Sequence, residues 1–160
     1  MRHPKPQTPN PKPQYAQGRR AYVGYVQVRF GDVDRAGIVY YPRIFDYFHQ
    51  VFEGFFEAKV KIPYPEVIGG KLRAGFPAVH YEVDFLSPLT YGDRLPVRFT
   101  VAKIGRTSVT FRYEVFRGKK LLVRALGTTV CVNMRTFKPQ TIPKRLRLAF
   151  AGILEARSAW

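Results

Sequence analysis

The chain is short of cysteine, histidine, tryptophan and acid: its 160 residues hold one Cys, three His and one Trp, with 11 Asp plus Glu against 27 Lys plus Arg. A lone Cys131 excludes an internal disulfide and a cysteine-based metal site. It lies in the apolar alternation "TTVCVNM", where a small buried core residue is expected. No run approaches eighteen uninterrupted apolar residues, so no membrane span is expected. The opening "MRHPKPQTPNPKPQ" has no apolar stretch, so no secretory signal is expected there. These absences leave the cytoplasm as the default compartment. No metal-ligating cluster and no glycine-rich phosphate loop stands out, and no bound cofactor is expected.

The scarcity of acid leaves a formal net charge of +16. Residues 1–20 carry Arg2, Lys5, Lys12, Arg19 and Arg20 and no acid, and 135–160 carry six cations against Glu155. A basic body suits an anionic ligand, and basic tails suit nucleic acid or anionic membrane surfaces. Simple solubility explains the tails equally well, and nucleic acid is not the partner expected.

What the chain does have is apolar and aromatic material. Hydrophobic residues make up 46%, with 13 Phe and 10 Tyr, enough for one core at this length. Residues 1–20 read as a disordered, proline-rich basic arm, 21–135 as the folded domain, and 136–160 as a basic segment with a helix. Tyr22 to Phe30 reads as a strand, with Val26 and Val28 on one face and Tyr25 and Gln27 on the other. A loop over 31–39 follows, then Pro42 suited to a first helical turn. Phe45, Phe48, Phe52, Phe55 and Phe56 recur at helical spacing, widened by Tyr47 and Val51. So broad an apolar surface predicts a helix surrounded by other structure. Pro63, Pro65 and Gly69-Gly70 bound a short turn or helix. Strand-like segments follow near 76–87, 94–104, 107–117 and 120–134, linked by the turns "YGD", "GR" and "RGKK". Pro143 opens a terminal helix whose apolar face is Leu146, Phe150, Ile153 and Leu154, with Lys144, Arg145 and Arg147 left to solvent. This order predicts an α+β fold: one curved antiparallel sheet wrapped around one long central helix, with a short C-terminal helix. Such a sheet has edges, and edges invite pairing, so a homodimer or homotetramer is expected.

The stretch "FGDVDRAGIVYYPRIFDYF" resembles the signature of the 4-hydroxybenzoyl-CoA thioesterase family, which has the hot-dog fold. The pattern is a strand ending in G-D-x-D, then A-G-I-V, two aromatics and Pro. "GFPAVHYEVDFLSPLTYGDRL" is similar to the family's second strand and following turn, and the likeness covers roughly 21–135. The resemblance implies hydrolysis of an acyl-CoA thioester to a free acid and CoA, with CoA entering as part of the substrate. It implies Asp34 as the catalytic carboxylate, and Tyr41 as the residue whose backbone N–H binds the thioester carbonyl. The chemistry is self-consistent, because a helix N-terminus offers unpaired N–H groups to a developing oxyanion and a nearby carboxylate can attack or activate water. Asp32 is expected to cap the turn, Gly37 to allow a positive φ or close approach of substrate, and Tyr40 and Pro42 to line or shape the loop. Tyr at 41 matches the aromatic-CoA members, where many relatives have His. The basic turn that holds CoA phosphates in those members is reduced here to Gly105-Arg106-Thr107, so Arg106 is the first candidate. Lys103, Arg117, Lys119 and Lys120 stand nearby in sequence. His49 and Glu53 lie four apart on the helix and can pair; His80 is a strand residue, and His3 lies in the arm. Two other readings stay open: the same chemistry on an acyl carrier protein, and a non-catalytic hot-dog domain that binds an acidic partner or nucleic acid.

Overall fold

The computed structural model describes residues 20–156; the arm of 1–19 lies outside them. Seven strands and three helices follow in order: β1 (Tyr22–Gln27), α1 (Arg43–Phe55), α2 (Tyr64–Gly69), β2 (Ala74–Gly75), β3 (Ala78–Phe85), β4 (Arg94–Ile104), β5 (Ser108–Arg117), β6 (Lys120–Val130), β7 (Val132–Asn133) and α3 (Lys144–Ala151). Five strands form one antiparallel sheet in the order β1-β4-β5-β6-β3, and β2 pairs with β7 apart from it. The sheet packs on α1, which is the hot-dog arrangement the sequence predicts. None of the described helices is long and apolar enough to cross a membrane.

Alternation builds the sheet. Along β5, Val109, Phe111, Tyr113 and Val115 are buried and the residues between them are half-covered. The inward residues meet the aromatic face of α1. Phe48 stacks on Tyr113 at 4.5 Å between ring centroids, and Phe52 and Phe55 contact Phe111 and Phe99 edge-on. Phe99 and Phe111 stack on each other at 5.0 Å. Each such ring removes enough apolar surface from water to be worth about 1.5–3 kcal/mol.

The structure corrects three expectations. First, α1 is not surrounded. Ile44, Tyr47, Phe48, Val51, Phe52 and Phe55 are buried, but Asp46, His49, Gln50 and Glu53 form an exposed face, and Phe45 sits at its margin. Its aromatic stripe is broad yet still one-sided. Second, β1 stops at Gln27 and Phe30–Asp32 form a 3-10 turn, because the Asp32 carboxylate draws back the Arg29 N–H. Likewise the last sheet strand ends at Val130. Cys131, fully buried, donates its N–H to Thr107 and accepts from Gln140, so β7 leaves for β2. Third, Arg147 of α3 is not left to solvent: it is half-buried and donates to the Gly105 carbonyl at 2.6 Å, whereas Arg145 stays exposed while donating to the Val60 carbonyl at 2.9 Å.

The C-terminal segment joins the same core. Leu146 and Phe150 are fully buried. The β4–β5 register slips between Val101 and Lys103, and there Val101 donates to Ile153 and accepts from Glu155. Glu155 also accepts from the Thr100 hydroxyl and from Arg112.

At the other end of the sheet Asp93 ties the turn before β4. Its carboxylate accepts the Thr90 N–H at 2.8 Å, and Arg117 from β5 clamps it while also donating to the Pro88 carbonyl. Burial alone would push this carboxyl up, but Arg117 and Thr90 outweigh it and hold it below the usual carboxylate range. A depressed carboxyl stabilises the fold above its unfolded value of about 3.9 and loses that contribution as pH falls through the lower folded value. Asp93→Asn is therefore expected to lower the melting temperature at pH 7, with the gap from wild type closing below about pH 4. A gap that stays constant down to pH 3 would mean that the carboxylate charge is not the source.

Candidate active site

The residues between β1 and α1 fold as a miniature hairpin. Val33 bridges Val39, Asp34 donates its N–H to the Ile38 carbonyl at 2.9 Å, and Gly37 donates back to the Asp34 carbonyl at 3.0 Å. Gly37 turns the tip at φ +75°, a conformation that a Cβ would strain. Ile38 bridges Thr90 and the Val39 N–H reaches the Leu89 carbonyl, so the hairpin is docked on the turn that Asp93 and Arg117 hold.

The two aspartates divide the work. Asp32 Oδ2 accepts the Arg29 N–H and the Tyr47 hydroxyl, each at 2.8 Å, and Arg43 lies 3.8 Å from Oδ1. Burial, and next the bond to Asp32, push the Tyr47 hydroxyl well above the ordinary tyrosine range. Asp32 thus caps the turn and fastens the loop to α1, as its place in the sequence suggests. Asp34 is exposed at the hairpin, and its Oδ1 accepts the Ala36 N–H at 2.8 Å. Its Oδ2 has no partner among the described residues.

The helix start is tight. Arg43, Ile44 and Phe45 donate their N–H groups three residues back, to Tyr40, Tyr41 and Pro42. Pro42, at φ −64°, has no N–H to give. The Tyr40 N–H goes to the Asp32 carbonyl. That leaves the Tyr41 N–H without an acceptor among the described residues, at the positive end of a 13-residue helix. The Tyr40 and Tyr41 rings are exposed and meet edge-on at 5.4 Å. By the hairpin register Asp34 and Tyr41 stand three residue steps apart, roughly 10 Å between Cα atoms.

Arg106 is not part of this cluster within one chain. It sits in the β4–β5 turn, at the far end of β4 from Asp34, roughly 30 Å along the strand. Its side chain is exposed and makes one long contact, 3.4 Å to Thr141. Of the other cations near it in sequence, Arg117 is committed to Asp93. His49 and Glu53 do pair, at 2.9 Å on the exposed face of α1, and His80 pairs with Glu82 at 3.2 Å on β3.

Below His49 opens an apolar cavity of about 360 Å³, between α1, α2, β3 and the β2–β7 pair. Phe52, Tyr64, Phe76, Tyr81 and Tyr113 supply its walls. Burial raises both the Tyr81 and Tyr113 hydroxyls, which bond to each other. The Tyr64 hydroxyl accepts the Phe76 N–H at 3.0 Å, fixing one wall. Sequence reasoning did not single out Tyr64 and Tyr113 as pocket residues. It also missed the Asp93–Arg117 support, although Thr90 three residues before an Asp in a "YGD" turn is a side-chain-capped turn signal.

Comparisons with known proteins bear on the fold and the family. A family model described as the thioesterase-like superfamily matches residues 28–150. The 1,4-dihydroxy-2-naphthoyl-CoA hydrolase of Nostoc punctiforme is 32% identical over 119 residues, covering 74% of this chain and 79% of its own. Among solved structures, a 1,4-dihydroxy-2-naphthoyl-CoA thioesterase from Synechocystis matches with a TM-score of 0.73 at 25% identity, over 82% of this chain and 96% of that one. A gentisyl-coenzyme A thioesterase matches with a TM-score of 0.71 at 25% identity, over 81% and 99%. The chain belongs to the thioesterase-like superfamily, as a hot-dog acyl-CoA thioesterase.

Proposed function

We propose that the chain hydrolyses CoA thioesters of aromatic or similarly bulky acids, with Asp34 as nucleophile or general base and the Tyr41 N–H as oxyanion donor. The observation that carries this is the pairing of a half-free, exposed carboxylate with an unpartnered amide at the start of α1. As the carbonyl oxygen gains charge, that amide and the helix dipole stabilise it without reorganisation. Asp34 either attacks the carbonyl carbon, expelling the CoA thiolate and leaving a mixed anhydride that water then hydrolyses, or removes a proton from the water that attacks the carbonyl and expels the thiolate. Gly37 and Tyr40 shape the approach of the substrate. No bound cofactor is required, because CoA arrives and leaves with the substrate. Cytoplasmic residence suits a chain with a single thiol.

The aromatic cavity supports the acyl class. It is apolar, of ligand size and edged by a few hydroxyls, and the named relatives act on aromatic acyl-CoAs. It begins at His49, eight residues or about 12 Å along the helix from Tyr41. A homodimer through the free edge of β3 relates the two. Val79, Phe85 and Leu86 there are more than half exposed. A two-fold axis through that edge runs the two α1 helices antiparallel, which sets the cavity end of one protomer beside the Tyr41 end of its partner. The same axis carries the Arg106 turn to the end that holds the partner's catalytic hairpin, where Arg106 serves a CoA phosphate.

Asp34→Asn keeps the bond to Ala36 through its amide oxygen, so the melting temperature stays put while kcat falls by about 10²–10⁴-fold. This is read by thiol release from benzoyl-, naphthoyl-, butyryl- and palmitoyl-CoA, the two aromatic thioesters being cleaved fastest. Near-normal turnover in that variant removes Asp34 from the mechanism, and a preference for palmitoyl-CoA removes the substrate class. Arg106→Ala raises KM for these thioesters more than it lowers kcat; an unchanged KM moves the phosphate contact elsewhere. Sedimentation velocity tests the edge: wild type runs as a dimer or larger and Val79→Asp/Phe85→Asp as a monomer, whereas a monomeric wild type rules the pairing out.

A further inference from the structure

Arg43, Arg98, Arg112, Arg117 and Arg124 each meet a carboxylate. Other cations have no ion-pair partner among the described residues, Arg94, Lys103 and Lys120 of the strands included, and one group of these stands together around α2 and α3. Lys59, Lys71 and Lys144 have no ion-pair partner among the described residues, and Arg145 spends one guanidinium nitrogen on the Val60 carbonyl. These four rim two adjoining depressions of about 540 and 730 Å³ that share Arg145. Their floor is apolar: Ile62 and Leu72 in one, and Leu148, 63% exposed, beside the other. Glu66 is the single acid in either lining.

We propose that this groove docks an acidic amphipathic helix on the surface of a protein partner. The shape selects the occupant. A bilayer is flat and would meet the rim but not the floor. A nucleic acid backbone would meet the cations but leave the apolar floor unfilled. A helix with apolar residues on one stripe and carboxylates flanking it satisfies both, apolar anchors on the floor and acids on the rim. The groove lies at the α3 end of α1, away from the same chain's Asp34 hairpin, and none of its lining residues belongs to the hydrolytic site proposed above. It does not depend on the reaction proposed above.

The test is fluorescence anisotropy on the full chain at physiological ionic strength. Four probes are compared: a labelled helical peptide with leucines on one face and glutamates on the other, a scrambled peptide of the same composition, phosphatidylglycerol vesicles and a DNA duplex. The amphipathic peptide binds wild type about tenfold more tightly than the scrambled one. Lys71→Glu/Lys144→Glu weakens its binding by about tenfold, and Lys119→Glu/Lys120→Glu, in the distant β5–β6 turn, leaves it unchanged. All four lysines are exposed, and unchanged circular dichroism verifies the fold of each variant. Equal binding of the two peptides overturns the proposal. So does an equal loss in both double variants, or a loss at the groove that affects vesicles or duplex while sparing the peptide. Because the readout is binding and not turnover, failure here and failure of the hydrolysis reading are distinguishable.

Discussion

Everything in this molecule hangs on burying one aromatic helix face. Phe48, Phe52 and Phe55 of α1, with Phe56 after it, meet Phe99, Phe111 and Tyr113 of the sheet, and Phe150 of α3 closes the far side. Removing that much ring surface from water is the largest favourable contribution available to a chain of this size. It also fixes the helix axially, because rings interlocked at several successive turns cannot slide. A helix that cannot slide presents its first amide at a constant place. The placing of that amide therefore depends on core packing about two to four turns away.

The hairpin before α1 is held on three sides. Asp32 ties it to Tyr47, the Val39 N–H ties it to Leu89, and Thr90 is in turn held by Asp93. Two carboxylates two residues apart thus have opposite fates. Asp32 spends its oxygens on the scaffold, and Asp34, opposite Ile38 in the register, leaves one without a partner among the described residues. Position decides this: Asp32 closes the 3-10 turn within reach of Tyr47 on α1, whereas Asp34 lies beyond that turn, in the hairpin. The half-free carboxylate is only as useful as the supports that stop the loop from folding over it.

Much of this was legible in the sequence. The order of elements, the single long helix, the turn chemistry and the Asp34–Gly37–Tyr41 loop are all visible as local patterns, because propensity, capping and alternation are properties of short windows. What was not legible is non-local. The exposed face of α1 was hidden because Phe45 extends the aromatic stripe across Asp46 and His49, and only packing shows where the stripe ends. Arg117 read as a hairpin cation until the fold placed Asp93, 24 residues earlier, against it. Arg147 read as solvent-facing until Gly105 supplied a carbonyl from 42 residues away. The separation of Arg106 from Asp34 follows from the length of β4, which the sequence contains, but its meaning depends on how two copies meet.

The irregularity in β4 bears on how the chain is made. At the slip between Val101 and Lys103 the sheet leaves one residue's backbone groups unclaimed by β5, and residues 153 and 155 take them. The Thr100 hydroxyl beside them waits for Glu155, and Phe55 and Phe56 wait for Phe150. All these partners lie some fifty residues or more downstream, so they leave the ribosome well after the strand and helix they complete. Until they do, the sheet has a wet seam and the helix an open flank. Long-range closure of this kind slows folding and lengthens the exposure of apolar surface during synthesis. The C-terminal residues work as a latch, and a nascent chain lacking them presents its phenylalanines to whatever else is in solution.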